Sequence, residues 1–213
     1  MVRSLLSLLA ACLLLGTAAH ATDDGGLQAR ISQLQRQWAI INYQKPKSER
    51  KREFARLAEE AHAVVAAYPN RAEPLIWEGI IRASLAGATG GLSALGIMKD
   101  AKALLERAIA IDGTALHGAA YTSLGSFYYM VPGWPLGYGD DDKALEYLKK
   151  GLEIAPDDMD ANYFMGDYWL DQGDKRKAER YFRKVLSLPD VKDRPVYSKG
   201  RKQEAATKLA GMR

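Results

Sequence analysis

Two adjoining stretches, residues 118–158 and 159–192, carry the same kinds of residue at the same spacing, and this repetition restricts the fold more than any other feature of the chain. In the second stretch Gly166 holds the eighth position, Trp169 the eleventh, Gly173 the fifteenth, Ala178 the twentieth and Phe182 the twenty-fourth. The first stretch fills the corresponding slots with Gly125, Tyr128, Gly139, Ala144, Leu148, Gly151 and Pro156, once seven extra residues are allowed between its helices. That register ends the first unit at Asp158, and Met159 opens the next without a gap. Small residues at the eighth and twentieth positions let helix axes approach at the low end of the usual 8–10 Å separation. A helical hairpin built this way cannot bury its apolar face alone and must stack on neighbours. The chain is therefore predicted to be an all-α solenoid.

The pattern continues towards the N-terminus. Gly79, Ala101, Leu105 and Ala108 form a third match with an insertion of ten residues between its helices and Gly113 where Pro is usual. Leu57, Ala61, Val64 and Pro69 mark a second helix before it, whose first helix runs from about Leu27 to Tyr43. Four hairpins are expected, at about 27–71, 72–115, 118–158 and 159–192, with a cap over 195–213. The capping helix, Ser198 to Met212, has Ala205, Ala206, Leu209 and Ala210 on one face and is expected to turn Lys199, Arg201, Lys202 and Lys208 largely to water. The repeated skeleton resembles the tetratricopeptide repeat (TPR).

The N-terminus reads as a leader. Arg3 precedes an apolar run from Leu5 to Leu15, and Ala19-His20-Ala21 supplies an A-x-A cleavage site, so 1–21 is expected to be a signal peptide and 22–213 the mature TPR-like domain. The run is too short for a stable membrane span, and no later segment reaches the ~20 apolar residues a span needs. A soluble periplasmic protein without stable membrane insertion is expected. The rival is a lipoprotein anchored through Cys12, against which Leu13, Leu14 and Leu15 still follow that cysteine. Cleavage after Ala21 removes the only cysteine, and with it thiol or disulfide chemistry. The net charge of +4 is a small excess, with bases at Lys45–Arg56 and Lys192–Arg213 and acids through the middle. A nucleic-acid surface needs bases interleaved with stacking aromatics, and the aromatics lie elsewhere.

Most aromatic residues stand between Tyr121 and Phe182. Trp169, Phe182 and Tyr128 fall in slots that pack helix on helix. The TPR resemblance implies a concave groove lined by the second, fifth, ninth and twelfth positions of each first helix, a spacing that shares one face. Carried over, these are Asp160, Tyr163, Asp167 and Leu170 in the last unit, and Ala119, Thr122, Ser126 and Tyr129 in the one before. The preceding unit gives Glu73, Ile76, Ile80 and Ala83, so the groove turns from apolar to aromatic and acidic along its length. Tyr offers contact area with a hydrogen-bonding tip, which suits recognition. The insertion Met130–Asp142 holds Pro132 and Pro135, which exclude helix, and its Trp134 and Tyr138 are expected to fold back on the hairpin or over the groove mouth. Asp140, Asp141 and Asp142 fit the start of the next helix, where acids satisfy free amides and the dipole. The binding candidates are thus Tyr163, Asp167, Tyr129, Ser126, Thr122, Leu170, Asp160, Trp134 and Tyr138.

The strings GGLSALG (90–96), AYTSLG (120–125), VPGWPLGYGDD (131–141) and NYFMGD (162–167) resemble a group of exported proteobacterial TPR proteins. A looser likeness, in the Gly-Asp-x-x-Lys-Ala helix start after a Pro/Gly insertion, is to TPR subunits of tripartite periplasmic transporters. Catalysis lacks an inventory: His62 and His117 each stand alone, and Gly87–Gly91 lacks the Lys-Ser/Thr of a phosphate loop. No cofactor or metal is expected. The carboxylate clamp of chaperone-binding TPR domains is not supported, because Tyr163, Asp167 and Ser126 stand where Lys and Asn are needed. These features point to a non-enzymatic scaffold binding a protein segment or peptide in the groove. The alternative is a small-ligand accessory of a transporter, with an enclosed apolar cavity near Tyr129, Trp134 and Tyr163.

Overall fold

The computed structural model describes the backbone of residues 3–212 and the side chains of residues 24–212. The expected leader, with Cys12 and Ala21, lies outside the residues whose side chains are described. The described residues form helices joined by turns: α1 (Arg3–Gln44), α2 (Lys47–Ala67), α3 (Ala72–Thr89), α4 (Gly91–Asp112), α5 (Ala115–Met130), α6 (Asp141–Ile154), α7 (Met159–Asp171), α8 (Lys175–Ser187) and α9 (Pro195–Gly211). Helices pair as α1/α2, α3/α4, α5/α6 and α7/α8, and each pair packs on the next, as the repeat spacing predicts. Among the described residues no helix is long and apolar enough to cross a membrane.

Local chemistry sets the helix ends. Asp140, Asp158 and Asp174 each precede a helix and accept a hydrogen bond from the backbone N–H three residues on, at 2.9–3.0 Å. Asp141 and Asp142 occupy the first turn of α6, where negative charge complements the dipole. The ten-residue insertion expected inside the second hairpin is mostly helix instead. The reversal is confined to Gly90 and Gly91, both at positive φ, and the extra residues lengthen α4. At the opposite joint the chain turns through Leu116, His117 and Gly118, all left-handed, so the right-handed part of α5 begins after Gly118.

Four glycines repeat one packing device. A Cβ on Gly79 would lie 2.9 Å from Leu105, on Gly125 2.6 Å from Leu148 and on Gly166 3.0 Å from Phe182, each on the second helix of the same hairpin. The fourth is Gly200 in α9, where a Cβ would run into the Tyr43 ring. Since a TPR-like unit is 34 residues long, the unit after 159–192 opens at Asp193 and Gly200 falls at its eighth position. Helix α9 thus holds the place of the first helix of a fifth unit, and Tyr43 near the end of α1 packs on Gly200 as Phe182 packs on Gly166.

This contact joins the two ends of the solenoid. One core cluster contains Leu27, Ile31, Leu34, Trp38 and Ile41 of α1 together with Phe182, Val185, Tyr197 and Ala205 of α8 and α9. Trp38 donates to Ser84 Oγ at 2.8 Å and packs edge-on against Trp77 and Tyr43, tying α1 to α3 beside the seam. The expected cap with its bases turned to water is corrected at one position above all. Arg201 is 5% exposed, because α9 is clasped between α7 and α1 and not laid over a free end.

Candidate functional site

The implied groove residues of α7 face α9. Arg201 donates to Asp160 at 2.7 Å and to Glu204 at 2.6 Å, and its guanidinium lies 4.3 Å from the Tyr163 ring centre and 5.1 Å from that of Phe164. Lys208 donates to Asp167 at 2.5 Å, and the Tyr129 hydroxyl donates to the other oxygen of that carboxylate at 3.1 Å. Asp160 and Asp167 are seven residues apart, as are Arg201 and Lys208, so two helical turns of acid on α7 meet two turns of base on α9. Tyr43 completes the cluster by donating to Glu204 at 3.2 Å.

The electrostatics follow from this enclosure. Burial works against the Arg201 charge, but the surrounding Asp160, Tyr43 and Glu204 outweigh it and hold the guanidinium protonated above its ordinary range. Burial pushes the Tyr163 and Tyr129 phenols up, with Asp167 adding to the effect on Tyr129. Asp158 at the start of α7 is pushed up to about 6 by burial and then by the neighbouring Asp160 carboxylate, against its own capping bonds to α7 amides.

Several of the sequence-derived candidates are therefore corrected. Tyr163 and Asp167 are 7% and 9% exposed, covered by Arg201 and Lys208 rather than open to a partner. Thr122 points into its own hairpin, its Oγ against Gly151, and buried Ser126 donates to the Ser123 carbonyl at 2.8 Å. Asp160 is held by Arg201. Tyr138 does fold back as expected, donating to the Met98 carbonyl at 3.2 Å and packing edge-on against Tyr128 at 5.6 Å. Trp134 does not: it is 90% exposed, with Leu136 beside it at 65%.

Tyr129 and Leu170 remain accessible in part. They line an open cleft of about 360 Å³ with Met130, Asp167, Asp171 and Lys208, at the ends of α5, α7 and α9. Three of its six lining residues are charged, Tyr163 lies outside it under Arg201, and Trp134 does not line it, so the enclosed apolar cavity expected for a ligand carrier is not what forms here. The Trp134 loop leaves α5 directly after Met130, which is itself 53% exposed. The loop is held rigidly: Asp140 N–H donates to the Tyr128 carbonyl, Gly139 N–H to Pro132, and Leu136 and Gly137 N–H to Gly133. A Cβ on Gly139 would collide with the Val131 carbonyl oxygen, which explains the glycine.

The sequence reading missed Arg194, Tyr197, Arg201 and Glu204, the second, fifth, ninth and twelfth positions of the fifth unit. The signal was present in the 34-residue count from Met159, which places these residues in the groove register.

Residues 139–158 and 160–190 match the model of the tetratricopeptide repeat. Among solved structures, TTC0263, a thermophilic TPR protein in Thermus thermophilus, is 19% identical over 85% of this chain and 89% of its own, with a TM-score of 0.54. The fold is a TPR solenoid. A structure of MamA is 21% identical over 80% of this chain and 94% of its own at a TM-score of 0.44, and a second is 22% identical over 75% and 89% at 0.33. No match was found among curated proteins. The TPR fold is consistent with a protein-interaction scaffold, and it distinguishes the residues used to build this solenoid from those left over. Trp134, Leu136 and Met130 are left over.

Proposed function

We propose that this TPR protein is a non-enzymatic adaptor, exported to the periplasm after removal of its leader, that binds a segment of a protein partner along the edge where α5, α7 and α9 end. One observation carries the reading: Trp134, Leu136 and Met130 stand exposed on and before a loop whose backbone is fixed by its own hydrogen bonds, beside an open cleft. A preorganised aromatic anchor needs little further ordering when it binds, and Trp is the residue type most enriched among binding hot spots. Tyr129, Leu170 and Asp171 would continue the contact into the cleft.

The test is a paired substitution, Trp134→Ala with Leu136→Ala, made in chains that carry a photo-crosslinking residue at exposed position 172, beside Asp171 of the cleft, in intact cells. Because both side chains are exposed, the pair should change stability by no more than ~0.5 kcal/mol per site. The crosslinked partner band should disappear. Unchanged crosslinking with the double substitution would contradict the reading.

A further inference from the structure

We infer that α9 is an internal ligand of the concave face, and that the partner chemistry this face accepts is a cationic amphipathic helix that replaces α9. The inference deepens the protein-binding reading above by naming what the inner face, as opposed to its edge, would recognise.

The first support is the match between α7 and α9. Asp160 and Asp167 meet Arg201 and Lys208 in one register, with the Tyr163 ring under the first cation. The face therefore selects two bases seven residues apart and rejects acids there. Such charge pairing fixes orientation and specificity more than it adds net affinity, because desolvating each ion offsets much of the attraction. A second helix with the same two bases meets equal conditions.

The second support is the root of α9, which keeps two unpaired side-chain donors although its backbone is tied through Ser198, whose Oγ accepts from Val191 N–H at 2.9 Å. Asp193, just before the helix, is held at a positive φ of 63°. The buried Trp77 Nε1 and Arg194 Nε find no acceptor, although the Arg194 guanidinium lies over both the Tyr197 ring at 4.0 Å and the Trp77 ring at 5.6 Å. Backbone strain and unpaired donors at one hinge favour a segment that opens before the hairpins behind it. The apolar part of the α9 contact rests on Val196, Tyr197, Ala205, Leu209 and Met212, with Gly200 bare against Tyr43.

The experiment uses the full mature chain. A labelled peptide of residues 189–213 is titrated into the wild type and into the chain carrying Arg201→Gln with Lys208→Gln, whose own α9 has lost the two bases that face α7 while Asp160 and Asp167 remain. The peptide should bind the variant at least tenfold more tightly than the wild type. Adding Asp160→Asn with Asp167→Asn should remove that gain, and a peptide lacking both bases should bind neither chain. Equal binding to wild type and variant, or none, overturns the inference. Should the variant fail to fold, hydrogen exchange on the wild type decides: α9 amides should exchange about tenfold faster than those of α7 and α8, and exchange of all three through one common opening overturns it. A dimer of the full chain that excludes the peptide would assign the face to a second copy and overturn the partner assignment. Peptide binding with an unchanged position-172 crosslink in the double alanine variant would sink the edge reading alone, and the reverse pair of results would sink this inference alone.

Discussion

At the scale of single residues, Arg201 organises the concave face. Its guanidinium is shared between Asp160 and Glu204 and stacked on Tyr163, so Arg201→Ala would leave two carboxylates and two phenols facing each other without a cation. Asp160 and Glu204 each keep about a third of their side chains exposed, so the cost is discounted from the ~3–5 kcal/mol of a fully buried pair to roughly 2–3 kcal/mol, the lost ring contacts included. Lys208 is 39% exposed but leaves behind Asp167, whose side chain is 12% exposed and keeps only the Tyr129 hydroxyl, so Lys208→Ala should cost ~1–2 kcal/mol. Urea unfolding of the two variants should show that ordering, and equal losses would mean Arg201 is not buried as described. Gly200→Ala gains at most ~1 kcal/mol of helix propensity, but its Cβ meets an aromatic ring, an overpacking penalty of ~1–3 kcal/mol, so a net loss is expected in the same assay. Asp158 carries a pH dependence. Its folded pKa of about 6 exceeds the ordinary carboxylate value of 3.8, so the folded state binds the extra proton between those values. That group makes stability fall as pH rises from about 4 to 6. Asp158→Asn should flatten this part of a stability–pH curve.

At the scale of elements, the sequence was most legible where the constraint is local. Gly79, Gly125 and Gly166 announced the hairpins because one close helix crossing needs one missing side chain, and the Asp-led start of α6 announced itself through capping. The ten extra residues of the second hairpin misled because insertion length says nothing about conformation, and Leu92–Met98 simply continue a helix. Trp134 was read as folding back because an exposed indole is costly, yet the loop satisfies itself through backbone hydrogen bonds and Tyr138 alone, leaving the indole outside. The joint before α5 was illegible, since nothing in Leu116-His117 marks a left-handed turn. Non-glycine residues there are strained by roughly 1–2 kcal/mol each. His117 is exposed, so His117→Gly should relieve part of that and raise stability by ~0.5 kcal/mol after the entropy of the freer unfolded chain is counted. A lower melting temperature for this variant would show that the imidazole makes a contact the fold needs.

At the scale of the whole molecule, the chain departs from the one-dimensional logic of its repeats. In an open solenoid each hairpin senses only its neighbours, and a change near one end stays there. Here Tyr43 fills the slot against Gly200, and the core cluster runs from α1 and α2 through to α8 and α9. No local pattern could have shown this, because the meeting of residues so far apart in sequence depends on the accumulated curvature of every hairpin between them. The closure also explains why the groove positions of α7 are covered, and the proposed recognition at the edge and by exchange of α9 rests on it. Hydrogen exchange of the Gly200→Val chain tests it most directly. Amides near Trp38–Tyr43 in α1 are expected to lose protection together with those of α9, while α3 and α4 keep theirs. Loss confined to α9, with α1 as protected as in the wild type, would contradict a solenoid closed by its own two ends.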